Sequence, residues 1–317
     1  ALYAAFGTVP VVQAAFTGVK AAVIVIVLQA LIKLMGRALT GPLAYGLAGA
    51  SFVSIFVFNL PFPIIICIAA VIGATQAVPV QSAPLAPVKS HPIRTLAIWL
   101  PLWLGPLALL SLSGADLLAD LGWFFAWLAV VTFGGAYAVL AYMTQIAVDT
   151  HGWISTPQMI DALGLAETTP GPLILVTQFV AMLAGQLQGG YGLALAAGLV
   201  ALWATFVPCF LWIFLTGPYL DHIAARPRLG AAMRGISAAG VGVILHLSVW
   251  FALHVLFMEL RPAGDGPIRA PVPVLSSLDP IALGLTAIAL ILMVWLKLGI
   301  ARSLVILAAC GAATLVI

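Results

Sequence analysis

Residues Pro10 to Leu28 read PVVQAAFTGVKAAVIVIVL, and residues Pro227 to Leu245 read PRLGAAMRGISAAGVGVIL. Aligned without gaps, they share Pro10/Pro227, Ala14/Ala231, Ala15/Ala232, Gly18/Gly235, Ala21/Ala238, Ala22/Ala239 and Leu28/Leu245. Each opens on a proline, which suits the first helical position because no partner waits there for its missing N–H. Each continues in apolar residues for the roughly 20 positions that cross hydrocarbon. Shared composition accounts for part of the match. The paired prolines and the common face of small residues argue for an internal repeat.

Composition places the whole chain in the same class. Charged residues make up 7% of the 317 and apolar residues 64%, with a mean hydropathy of +1.21. A soluble domain is about a quarter charged, because its surface faces water. So little charge cannot clothe a wet surface, and most of this one must face lipid or other helices. Alternating strand patterns of the barrel kind are absent, so the spans are helices. The net charge of +3 is scattered over short loops with no basic run, which leaves nucleic-acid binding without support. Cys67, Cys209 and Cys310 stand far apart in apolar sequence and read as small hydrophobes; no metal or cofactor is expected.

Crossings are predicted at 10–35, 43–58, 62–78, 95–113, 122–147, 156–187, 191–216, 231–258, 281–297 and 299–317. The sixth is broken by Pro170-Gly171-Pro172, and the proline-rich stretch 76–94 reads as an extended linker. Lysine and arginine set the sides. Lys33, Arg37, Lys89, Arg94, Arg226, Arg228, Arg234, Lys297 and Arg302 fall on one side, the cytoplasmic one. Arg261 and Arg269 fall on the other, with Lys20 inside a span. The loop holding Asp116 and Asp120 is then external. On this count the first repeat copy runs inward and its partner outward, the inverted arrangement of secondary transporters, whose site lies between the copies.

The fold class is therefore an all-α polytopic membrane protein with an inverted-topology repeat and about ten transmembrane helices. Residues 1–78 form a partial first repeat of three spans. Residues 79–121 are a linker with one connecting span, and 122–317 a second repeat of six, with its broken helix at 167–172. Three spans precede Pro227 in the second copy, whereas only nine residues precede Pro10. The repeat predicts roughly 85 further residues ahead of Ala1, or a partner that supplies them.

Polar residues concentrate in one region: Gln145, Asp149, His151, Asp161, Glu167, Thr168, Thr169 and Gln178. In Glu167-Thr-Thr-Pro-Gly-Pro172 the prolines interrupt a helix, and the threonines are expected at the N-terminal end of the half-helix that follows. Free N–H groups, the positive end of the dipole and two hydroxyls there suit a tetrahedral oxyanion. A plain proline kink is the alternative. Glu167 is a candidate proton carrier or a helix cap. Gly134 and Gly135 allow close approach of a substrate or simply of another helix. Lys20 faces the anion, snorkels to the interface or pairs with a carboxylate. Gln29 and His246 occupy equivalent repeat positions. Trp99, Trp103, Trp123, Trp127 and Trp153 read as interfacial anchors.

The run Phe133-Gly134-Gly135, Tyr137-Ala-Val-Leu140, then Gly152-Trp153, then Gly164-Leu-Ala-Glu-Thr-Thr-Pro-Gly-Pro172 resembles the second-half signature of the chromate ion transporter family. The resemblance runs over nearly all of the chain. The first-half counterparts of the FGG and Pro-Gly-Pro signatures are not in it. The resemblance implies a multi-pass protein of the bacterial inner membrane that exports chromate, with sulfate as its mimic, driven by protons or the membrane potential. Its expected partners are chromate or sulfate, protons and the lipid bilayer, with a homodimer left open. Thr168, Thr169, Gly171, Gly134, Gly135, Tyr137, Gln145 and Lys20 form the expected substrate-binding set, with Glu167 for proton coupling. Two other readings stay open: import or exchange of sulfate or another oxyanion, and an intramembrane enzyme built on Glu167, Asp161 and His151. No recurrent nucleophile–base pair supports the last, so no enzyme is expected.

Overall fold

The protein is described by a computed structural model covering residues 9–76, 91–131, 136–168, 175–220, 226–262 and 270–315. Eleven helices are described: α1 Pro10–Ala38, α2 Pro42–Phe56, α3 Phe62–Thr75, α4 Pro92–Leu112, α5 Asp116–Val131, α6 Ala136–Thr144, α7 Thr156–Thr168, α8 Leu175–Thr216, α9 Pro227–Leu256, α10 Pro280–Leu290 and α11 Ile300–Ala313. Wider π-type turns extend α6 over Gln145–Thr150 and α10 over Ile291–Trp295. A small antiparallel hairpin, β1 Leu260–Pro262 with β2 Pro271–Pro273, lies between α9 and α10.

Proline starts most of the long helices. It stands in the first turn of α1, α2, α3, α4, α9 and α10, where a fixed φ helps and no N–H is needed. Asp279 adds a side-chain cap to α10, accepting from the N–H groups of Ile281 (2.8 Å) and Ala282 (3.1 Å). The helices' outer faces carry large apolar side chains, such as Val71, Leu109, Leu199 and Val305, each at least 65% exposed. That surface suits lipid rather than water.

Packing is reciprocal. α1 lies against α10 and α11, while α9 lies against α2 and α3. Glycine permits both closest approaches. Gly18 of α1 sits on the carbonyl of Leu307, and Gly311 on that of Ala14. Gly235 of α9 sits on the carbonyl of Ala69, and Gly73 on that of Ala231. Gly18 and Gly235 are the residues matched in the sequence alignment, and both are fully inside. Ala21, Ala22, Val25 and Ile26 of α1 complete one apolar cluster with Leu285, Ala289 and Met293 of α10. Small residues serve here because lipid supplies no hydrophobic drive between helices, so association depends on close packing.

α4 and α8 show how interior prolines are accommodated. Pro106 and Pro208 remove the N–H groups that would bond the carbonyls of Leu102 and Ala204. Trp203 of α8 donates its indole N–H to Leu102 (3.1 Å), and Trp103 of α4 donates to Ala204 (3.0 Å). Each helix thus satisfies the carbonyl freed in the other. Trp103 is 5% exposed and Trp153 6%, so neither is the interfacial anchor expected. Trp153 instead stacks on His151 (4.3 Å) and meets Phe124 edge-on.

The path between α5 and α8 differs from the expected one. One end of the molecule gathers the end of α1, the start of α2, the end of α3 and the start of α9 with Arg234; this is the basic end. α4 also starts there, because Trp99 stacks on Phe210 and Phe214 near the end of α8. α4 and α5 meet at the opposite end through the short turn at Ser113, so Asp116 and Asp120 lie in the first turns of α5 rather than in a loop. α5 and α6 are antiparallel: Phe124 lies 6.1 Å from Tyr142, and Gln145 reaches Asn59, between α2 and α3 at the opposite end. The span expected over 122–147 is therefore two helices of 16 and 9 residues that double back. The chain between the two helices carries Gly134 and Gly135, and glycine is the poorest helix former after proline. As a result 148–155 lies at the opposite end, not the basic one.

The next pair behaves alike. α7 starts at the opposite end and runs inward beside α1, with Gly164 against Val19 and Val23. α8 folds back on itself at Gly189–Gly190, where Gly190 takes φ 74°, so that Gly185 meets Ala194 and Gly198 meets Met182. Its longer arm, 191–216, runs to the basic end. The arm 175–188 therefore runs outward, antiparallel in sense to α7. Because both pairs return to the end they left, the sidedness of the counted lysines and arginines that lie among the described residues is unchanged.

Candidate functional site

Both motif stretches stand between helices that double back. Gly134 and Gly135 fall between α5 and α6, and Thr169 and Gly171 between α7 and α8; all four lie outside the described residues. Tyr137 is in the first turn of α6, and Glu167 and Thr168 in the last turn of α7; their side chains also lie outside the described residues. Thr168 closes α7 at a C-terminal end, whereas the sequence reading set it at the N-terminal end of the next helix. That N-terminal end belongs to α8, described from Leu175. At 13 residues α7 is about 20 Å long, too short for the roughly 30 Å of hydrocarbon. The helix ends beside the motif are thus held at interior depth, where an unpaired N–H or C=O group needs a partner.

Lys20 is paired. Its ammonium lies 2.7 Å from the Asp161 carboxylate, and the two side chains are 22% and 13% exposed. The pair joins α1 to α7 two helical turns before Thr168. A lone lysine in a span is costly, and the carboxylate offsets that cost. Of the roles the sequence leaves open for Lys20, pairing with a carboxylate is the one seen.

Gln145 is elsewhere. Its amide donates to Asn59 Oδ1 at 2.8 Å and to the Asn59 carbonyl at 3.3 Å. Asn59 holds a left-handed φ of 49°, a conformation asparagine tolerates better than most residues. The two line a cavity of about 220 Å³ at the end away from Arg234. Tyr142, Thr144 and Asp149 of α6 form one wall; His246, Trp250 and His254 of α9 form another. Sequence reasoning missed Asn59 and His254. The signal for Asn59 was present, as a single amide in the apolar run Phe56-Val-Phe-Asn-Leu-Pro61. His246 stands out in the sequence only by its repeat position opposite Gln29.

Comparison with known proteins follows the same lines. The chain is 32% identical to the chromate transport protein of Cupriavidus metallidurans over 128 residues, covering 40% of this chain and 30% of that one. It is 27% identical to a probable chromate transport protein of Synechococcus elongatus over 248 residues, covering 76% and 58%. With the chromate transport protein of Pseudomonas aeruginosa it shares 32% over 115 residues, covering 36% and 26%. The chain spans less than two thirds of the length of each of these relatives. No solved structure matches it. The family model described as chromate transporter matches residues 1–74 and 119–315, and the chain belongs to that family.

Proposed function

We propose that this chain serves a secondary transporter that exports chromate from the bacterial cytoplasm across the inner membrane, coupled to protons or the membrane potential. The observation that carries the reading is that the described helices flanking each motif stretch in the chain are short and double back. Broken helices at mid-depth are where transporters hold ions, because helix ends offer free N–H and C=O groups without a fixed full charge. Thr168, Thr169 and Gly171, with Gly134, Gly135 and Tyr137 from the neighbouring pair, are the proposed oxyanion contacts. Glu167 beside them is the proposed proton-coupling group. Gln145, expected in the substrate-binding set, faces the outer cavity instead. Lys20 contributes its charge when Asp161 releases it.

The reciprocal seating of α1 on α10 and α11, and of α9 on α2 and α3, supports an inverted repeat whose halves rock about this site. The reading is transport rather than catalysis. The test is chromate flux by the full protein in liposomes under imposed proton and potential gradients. Thr168→Val with Thr169→Val should abolish chromate binding in folded protein, and Glu167→Gln should flatten the pH dependence of flux. Parent-like binding by the double valine variant would move the site elsewhere. Sulfate flux without chromate flux would favour the importer or exchanger reading.

A further inference from the structure

We propose that the cavity at the outer end is a proton entry, with His246 at its inner end as the group that takes the proton. This rests on the reading of the protein as a proton-coupled transporter and adds a site to it. The cavity's chemistry selects the occupant. Among the described residues its titratable groups are Tyr142 and Asp149 of α6 and His246 and His254 of α9; the described side chains from α2, α3 and the β-hairpin that line it are uncharged. Among the described residues no lysine or arginine lines it, so none of them offers a permanent positive charge for a divalent oxyanion. A carboxylate, two imidazoles and two side-chain amides suit water and protons instead.

The geometry gives these groups an order. His246, Trp250 and His254 fall on one stripe of α9, with His254 two turns nearer the outer end. His254 Nδ1 lies 2.8 Å from the Trp250 carbonyl, which fixes that nitrogen as the donor and leaves Nε2 for exchange. Asp149 and Asn59 are exposed at the mouth. Further in, Nδ1 of His246 is buried and has no hydrogen-bond partner among the described residues, and the ring meets Phe56 at 6.0 Å. A buried imidazole nitrogen without a partner is costly unless it exchanges with water or a proton. The volume of about 220 Å³ holds several waters at about 30 Å³ each, enough to link Asp149 with His246.

The test separates proton-driven flux from exchange. The full protein is reconstituted in liposomes. Chromate counterflow, which needs no gradient, is measured beside net chromate flux driven by a pH step. His246→Gln, which keeps size and polarity but cannot titrate, should lower driven flux by about tenfold while counterflow stays within about twofold. His246→Asn is the second variant should glutamine fail to fold. Asp149→Asn should slow driven flux in the same direction but less. Driven flux within about twofold of the parent in either His246 variant overturns the proposal. So does a parallel fall in counterflow, which makes His246 a structural or anion contact. A parent that exchanges chromate but ignores the pH step sinks proton coupling itself, a different failure from loss confined to the variants.

Discussion

The indole N–H of Trp103 donates to the carbonyl of Ala204 at 3.0 Å, the carbonyl that Pro208 has deprived of its helical partner. Trp203 does the same for Leu102, four residues before Pro106. Two proline-containing helices are thereby locked at matched heights. The arrangement predicts a specific coupling. Trp103→Phe should cost about 1–3 kcal/mol, because it strands a buried carbonyl. In a Pro208→Ala background the restored amide can bond Ala204, so the same change should cost less. A double-mutant cycle by thermal denaturation in detergent measures the difference, and strict additivity would refute the account.

The Lys20–Asp161 pair yields a second prediction. A lone buried charge is worse than none, so Lys20→Met or Asp161→Asn alone should each lower stability. Partial exposure holds the loss to about 2 kcal/mol, below the roughly 3–5 of fully buried pairs. Lys20→Met with Asp161→Leu should recover most of it. Equal losses in the single and double variants would show that the pair contributes through packing alone.

Close packing at the matched glycines is testable with an internal control. A Cβ at Gly18 or Gly235 would meet a backbone carbonyl of α11 or α3, which cannot move aside. Gly18→Ala and Gly235→Ala should each cost about 1–3 kcal/mol through overpacking. Gly36→Ala, on α1 with open space around it, should be neutral or stabilising. Comparable melting temperatures for all three variants would contradict the packing described.

Sidedness is the fourth. A cysteine at His151 should react with an impermeant maleimide from the same side as one at Asp116, and from the side opposite one at Arg228. The Gln145–Asn59 contact requires this, because it pins the end of α6 to the end away from Arg234. Labelling of position 151 from the Arg228 side would restore a single crossing over 122–147.

Much of the architecture was legible in the sequence. Low charge, the apolar runs and the proline starts gave the class and most helix bounds within a few residues; α1, expected at 10–35, occupies Pro10–Ala38. Those features are local, being set by burial in lipid and by backbone chemistry. The doubling back of α5 and α6 was not legible. Two half-length apolar helices and one crossing helix have the same composition, and only contacts such as Phe124 with Tyr142 tell them apart.

The candidate site divides in the same way. Sequence alone determined which residues are polar enough to carry chemistry: Glu167, the threonines beside Pro170, Lys20, Gln145 and His246. It could not say which of them meet, because pairing depends on how helices distant in the chain are seated. Tertiary structure decided that Lys20 belongs to Asp161, 141 positions away, and Gln145 to Asn59, 86 positions away. It decided too that two tryptophans serve two prolines across α4 and α8. Local physics fixes what a segment is made of and where it breaks. Only packing, where each buried polar group must find a partner, fixes which segments meet.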